Sequence, residues 1–331
     1  MSISFAFLTQ NPRITSTKEI TCGSPAIPSK TQAPLGLHKH LSETLKERHG
    51  REVTQHTPIA IDGNAALATF IANEGLSGEG TSSSPYIIEN FSIDTNTADG
   101  VLIQNTNAHL IIRNCTIEGR QVNYQSGISL DNVANVNISK NLLSNNNIGI
   151  SLSSSSNNTL SENTVSGNVH GIGLDESSNN IISRNTVSDN TRYGIILTNS
   201  NYNILTGNTV NNNSWGDWTY AHATILLEMS HHNILTGNMV SGNELDGITL
   251  WTSNYSILTG NNVSHNDANG ISLGDSSHTM LTGNTISHNE RRGISLGDSG
   301  INRLTRNNVS HNDANGISLG DSSHTMLTGN T

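Results

Sequence analysis

The chain has 331 residues, a formal charge of −10 and only 4% aromatic residues. Beyond residue 57 it carries nine Lys and Arg against 22 Asp and Glu, which argues against nucleic acid or an anionic membrane surface as partner, since both need basic patches. Such a balance suits a cation or a neutral, hydroxyl-rich partner, and it also opposes aggregation of an extended β structure.

No run of about 18 apolar residues is present to cross a membrane. The two cysteines, Cys22 and Cys115, form neither a disulfide framework nor a zinc pattern. Residues 1–57 read as a leader or linker. Most of the prolines lie there, including Pro25, Pro28 and Pro34, without hydrophobic periodicity. Leu37, Leu41 and Leu45 stand four apart ahead of Gly50 and predict a short helix over 37–49. Met1 to Gln10 is mildly apolar but has no basic start and no cleavage site, so it does not read as a signal peptide.

Residues 58–84 predict an N-terminal cap. Pro58 to Ile61 suits a short strand. Asn64 can cap a helix whose Leu67, Phe70 and Ile71 share one face and which ends near Gly75. The turn Gly78-Glu79-Gly80-Thr81 lacks the Gly-Lys-Ser/Thr ending of a phosphate loop. A helix with one apolar face, placed before a repeat array, covers the open end of the array's core.

From residue 85 to residue 331 the chain repeats itself. Asn261–Thr285 recurs residue for residue as Asn307–Thr331, an offset of 46. The glycine of each G-I-x-L segment marks the period: Gly127, Gly149, Gly171, Gly194, Gly247, Gly270, Gly293 and Gly316. Their steps are 22 or 23, except for one of 53. That long step holds a further coil with Thr224 in the glycine place and an insertion within Asn211 to Tyr220. Each step contains three short apolar segments, such as Ile172/Leu174, Ile181/Ile182 and Val187, separated by turn residues. G-I-x-L has the strand period of two. Three strands per step leave no room for a helix, so an all-β parallel solenoid is expected. Its coils, about ten of them, rise ~4.8 Å each. Asn163, Asn185, Asn208, Asn238, Asn261, Asn284, Asn307 and Asn330 share one register and predict a buried amide ladder. The last copy stops mid-coil, and the array is expected to continue, with end-to-end or continuing-repeat contacts at that strand edge.

Candidate site residues stand where the pattern breaks. Trp215, Asp217, Trp218 and Tyr220 lie in the insertion. Trp251 occupies the outward fourth place after Gly247, in a column with Asp175, Thr198 and Glu228. Aromatic rings beside carboxylates suit stacking on sugar rings and bonding of their hydroxyls. Asp175 and Glu228, two coils apart, are the leading carboxylates for glycoside cleavage, with Asp246 and Asp217 as further candidates. His265, His288 and His311 share one register, and His278 and His324 share another with His232. Stacked imidazoles suit copper or zinc. Two acidic columns accompany them: Asp267, Glu290 and Asp313, and Asp275, Asp298 and Asp321, the latter suited to calcium. Asn90, Asn114, Asn137, Asn157, Asn212, Asn254, Asn262 and Asn308 begin N-x-S/T triplets, which matter only in an exported protein.

The coil pattern Gly171-Ile172-x-Leu174-x-x-Ser177-x-x-Asn180-Ile181-x-x-x-Asn185-x-Val187-Ser188-x-Asn190 resembles the repeats of the NosD-like family. That family overlaps the carbohydrate-binding and sugar-hydrolysis (CASH) domains, and Pro85-Tyr86-Ile87-Ile88-Glu89-Asn90 is similar to archaeal surface members. The resemblance covers about residues 85–331. It implies a right-handed parallel β-helix that is secreted, periplasmic or displayed on a cell surface, and it leaves activity open because unrelated functions share the scaffold. Pectin-degrading β-helices carry aspartate pairs with Gly-His-Gly and Arg-x-Lys segments. Val169-His170-Gly171 is the nearest counterpart, and no Asp-Asp pair is present. Three readings follow. The first is a non-catalytic module that binds a polysaccharide or glycan surface. The second is a polysaccharide hydrolase or lyase. The third is a copper-associated protein.

Overall fold

The computed structural model describes residues 53–331 apart from 97, 122–123 and 215–222. The helix expected over 37–49 lies outside the described residues.

The described chain is a parallel β-solenoid built of three eleven-stranded sheets. Sheet A begins with β1 (Thr54–His56), sheet B with β2 (Ile59–Asp62) and sheet C with β3 (Tyr86–Glu89). Thr54–His56, in the stretch expected as leader, pairs with Phe91–Ile93 as the first strand of sheet A.

One coil shows the construction. It runs through the strands His170–Asp175 in sheet B, Ile181–Ser183 in sheet C and Thr186–Ser188 in sheet A. Each strand pairs in parallel with its counterpart one coil on: Ile172 with Ile195, Ile182 with Leu205, Val187 with Val210. Ile172, Leu174, Ile182 and Val187 fill the core. Ile181, the first residue of the second apolar segment, points outward and is 40% exposed. In a three-residue strand only the middle side chain faces inward.

The marker glycines answer a shortage of space. A Cβ on Gly171 would stand 2.3 Å from the Gly194 carbonyl oxygen and 2.4 Å from Val187 Cγ1. The sheet B strand and the sheet A valine therefore approach too closely for a side chain.

The turns are held by side-chain ladders. Asn163 donates through Nδ2 to Asn185 Oδ1 at 2.9 Å, and Asn185 to Asn208 at 3.0 Å. The same oxygens accept backbone N–H groups, and Asn185 Nδ2 also reaches the Leu160 carbonyl at 3.0 Å. Each buried amide thus satisfies two backbone groups of the preceding coil and bonds the amide of the next. A second ladder runs at the next corner through Asn146, Asn168, Asn190 and Asn213. At the third corner Ser155, Ser177, Ser200 and Ser230 accept N–H groups one coil apart.

Helix α1 (Asn64–Asn73) lies beside the first coil and buries Leu67 and Ile71, with Phe70 packed against the core. Asn64 does not cap it. The N-cap is Gly63, and Asn64 Oδ1 instead accepts Thr106 Oγ1 and the Asn107 N–H, tying the helix start to a neighbouring coil. At the other end the Gly75 N–H reaches Ala72 and the Leu76 N–H reaches Ile71, with Gly75 at φ +63. This is the glycine-closed helix end that the sequence anticipates.

Candidate functional site

Sheet A turns mainly Ser, Thr and Asn outward, sheet C adds exposed Ile181, Ile257 and Met280, and sheet B sets carboxylates and a tryptophan among its outward serines. Along its fourth-place column Asp175 pairs with Thr198, Thr198 with Glu228 and Glu228 with Trp251, as the register predicts. Asp175 and Glu228 are two coils apart, ~10 Å by strand spacing. Burial holds the Asp175 carboxyl above its usual range, with the neighbouring Glu176 charge adding to the effect.

Asp246 is a structural anchor. It accepts the Asn269 N–H at 2.8 Å, Asn269 Nδ2 at 3.3 Å, Thr249 Oγ1 at 3.4 Å and Ser272 Oγ at 2.5 Å. Those bonds tie its strand to the following coil and occupy both carboxylate oxygens.

Trp251 is half-exposed. Its indole leans over the next coil: a Cβ on Gly274 would lie 2.5 Å from both Cε3 and Cζ3. The ring is seated on backbone and stays open to solvent on its other side. Trp215, Asp217, Trp218 and Tyr220 lie outside the described residues.

The structure adds a group that spacing alone did not single out. Ile196 and Leu226 pair on the outside of sheet B, and with Ala223 they form a small buried apolar cluster against which Tyr193 packs. His170 stacks on Tyr193, with centroids 5.5 Å apart and planes at 17°. Burial, reinforced by Arg192, lowers the His170 imidazole to about 4. Burial and the Glu228 charge raise the Tyr193 phenol, with Arg192 opposing them. A signal was available. Ile195-Ile196-Leu197 and Ile225-Leu226-Leu227 are continuous apolar runs where other coils alternate.

The histidine registers are real columns. His265, His288 and His311 stack with centroids 5.0 Å apart and planes within 3°. His232 and His278 belong to a mixed column that also contains Tyr202 and Tyr255, at successive spacings of 4.8, 4.9 and 4.7 Å. All seven residues have positive φ, so each column marks a left-handed turn position. Asp275, Asp298 and Asp321 follow the paired glycines Gly274, Gly297 and Gly320 in the same way.

These columns do not fit a shared metal. A ring nitrogen coordinates in the plane of its imidazole, and parallel rings one coil apart aim their lone pairs along parallel lines. Among the described residues no group of three or more His, Cys, Asp or Glu side chains is placed to hold an ion. Cys115 is buried and its thiol is pushed up to about 12, mainly by that burial. No helix among the described residues is long and apolar enough to cross a membrane.

The family described as "Right handed beta helix region" matches residues 74–228, and that described as "Periplasmic copper-binding protein (NosD)" matches residues 217–331. No curated protein sequence matches the chain. Among solved structures, a mutant of the periplasmic alginate epimerase AlgG is 17% identical, covering 88% of this chain and 89% of its own, with a TM-score of 0.55. PfbA, a surface adhesin of Streptococcus pneumoniae, is 14% identical over 70% of each chain, with a TM-score of 0.53. The Dettilon tailspike protein is 13% identical, covering 91% of this chain and 66% of its own, with a TM-score of 0.52. At such identities the likeness is one of fold. The two family matches overlap at 217–228 and together run from the helix end to residue 331 of one continuous solenoid, and with that fold they support a NosD-like family of right-handed parallel β-helix repeats.

Proposed function

We propose that this protein is a non-catalytic β-helix module that works outside the cytoplasm and binds carbohydrate on the outer face of sheet B, with Trp251 as the stacking platform. The observation that carries this reading is the half-exposed indole seated over Gly274, one coil from Glu228. A large aromatic face held against backbone, with carboxylate acceptors in the same column, offers a sugar both ring stacking and hydroxyl bonding at little entropic cost. The described carboxylates favour binding over cleavage. Asp246 is committed to structural hydrogen bonds, and the Asp175 and Glu228 strands, two coils or ~10 Å apart, stand at the upper edge of the ~6.5–9.5 Å of inverting pairs. The carbohydrate part of the reading is in keeping with a fold shared by an alginate epimerase, a tailspike and a surface adhesin. The periplasmic description of the matching family supports the location.

A glycan array probed with the wild type and Trp251→Ala tests the proposal. The substitution is expected to weaken binding roughly tenfold, about 1.4 kcal/mol. Equal signals from the two proteins would remove Trp251 as the platform, and an array without any signal would remove the carbohydrate reading.

A further inference from the structure

Resting on the carbohydrate reading above, we infer that the ligand is an uncharged, linear polysaccharide that lies along the solenoid axis, starting at Trp251 and continuing over a track floored by Gly297 and Gly320.

The direction comes from the tryptophan. Trp251 pairs with Gly274, Gly274 with Gly297 and Gly297 with Gly320, so they form one column across the strands. The indole occupies the space above Gly274. Beyond it the path is open: a Cβ on Gly297 would meet nothing within 4 Å, and one on Gly320 only the Leu296 carbonyl oxygen at 3.6 Å. No side chain of the column obstructs a polymer that leaves the indole in that direction.

The same coils supply a repeated set of polar groups. The segment Ser-Leu-Gly-Asp occurs at 272–275, 295–298 and 318–321. Leu273 and Leu296 are buried beneath the strand, which turns the serines outward with the glycines. Asp275, Asp298 and Asp321 are exposed at left-handed turn positions along the track's edge, with φ of 48°, 50° and 47°. The coils of Gly297 and Gly320 therefore each offer a hydroxyl, bare backbone and a carboxylate in the same order, ~4.8 Å apart, while in the coil before them Ser272 is bonded to Asp246 and the indole covers Gly274. A pyranose residue in an extended chain advances by a comparable length, so successive sugars meet successive copies of one set.

Charge selects the class. The track has Asp275, Asp298 and Asp321 along its edge, and Glu228 and Asp175 continue the column on the far side of Trp251. Arg291 and Arg292 precede Gly293, at the opposite edge of sheet B from the track. Carboxylates accept hydrogen bonds from vicinal hydroxyls of a neutral sugar, and they repel uronate or sulfate groups. The column thus disfavours the acidic polymers.

Affinity electrophoresis of the full chain in gels containing a neutral β-glucan, a neutral galactomannan, alginate or a sulfated galactan provides the test. We expect retardation by a neutral polymer, little changed between 0.05 and 0.5 M NaCl. Gly297→Leu should reduce it at least tenfold with an unchanged melting temperature, because position 297 is a solvent-facing strand site of ordinary φ. Asp298→Asn should weaken it severalfold. Preference for alginate or the sulfated polymer, or equal retardation of the wild type and Gly297→Leu, would overturn the inference and leave the carbohydrate reading standing. Migration unaffected by every polymer would overturn both.

Discussion

The six-membered ring of Trp251 stands where a side chain of Gly274 would stand. The glycine is therefore part of the aromatic site, though it offers no group of its own to a ligand. Gly274→Leu is expected to lift the indole from its seat. Tryptophan emission should shift, and glycan retardation should fall as far as in Trp251→Ala, while the melting temperature stays within about 4 °C. Retention of full binding by Gly274→Leu would show that the seat is not needed.

Two glycines of one strand should behave in opposite ways. A Cβ on Gly171 would collide with the Gly194 carbonyl and Val187, whereas one on Gly173 would find its nearest neighbour at 3.8 Å. Gly171→Ala is expected to cost at least the ~1–3 kcal/mol of an overpacked core. Gly173→Ala should stay within about 0.5 kcal/mol of the wild type. Urea unfolding of both variants checks this, and similar midpoints would contradict it.

Removing one rung of the amide ladder should damage the coil before it. Asn185→Ala would leave the Asn163 N–H and the Leu160 carbonyl without their buried partners, at ~1–3 kcal/mol each. The expected loss is about 2–6 kcal/mol by that range. Thr186→Ala, at the exposed neighbouring site, should cost under about 0.5 kcal/mol. Thermal melts of the two variants that coincide would rule out the ladder as a source of stability.

His170 should make the protein acid-sensitive. Burial, reinforced by Arg192, lowers its pKa from the ordinary 6.5 to about 4 in the folded chain. Above pH 6.5 the imidazole is neutral in both folded and unfolded chains and adds no pH dependence. Between pH 6.5 and 4 the unfolded chain takes up a proton that the folded chain refuses, so stability falls as pH falls, by up to about 3 kcal/mol. Urea midpoints from pH 7.5 to 4 should therefore drop more steeply for the wild type than for His170→Gln. Parallel profiles would show that His170 titrates normally in the fold.

What the sequence discloses depends on whether a site constrains the side chain or only the backbone. Gly171 and Asn185 repeat as letters because the close approach of strands and the amide hydrogen bonds each demand one side chain in nearly every coil. The turn column through Tyr202, His232, Tyr255 and His278 demands only a left-handed backbone. Several residue types meet that need, so the matching letters revealed its histidines and concealed its tyrosines. Asn64 misled for another reason. Its local setting favours a helix cap, but Thr106 and Asn107, about 40 residues away, engage its amide oxygen. The contact of His170 with Tyr193 likewise depends on where the next coil returns, and the spacing of marker glycines places the backbones without saying which rings will touch.

The second asparagine ladder has a consequence for how such a chain can change in length. Asn266 donates to Asn289 and Asn289 to Asn312, across coils of unlike sequence, by the same bond at 2.8–2.9 Å. At this corner the upper surface of one such coil therefore accepts the lower surface of another. Whole coils can be added or removed there without breaking the ladder, so genes of this kind can lengthen by copying rather than by redesign. The residue-for-residue identity of 261–285 and 307–331 is the record expected of a recent event of that sort.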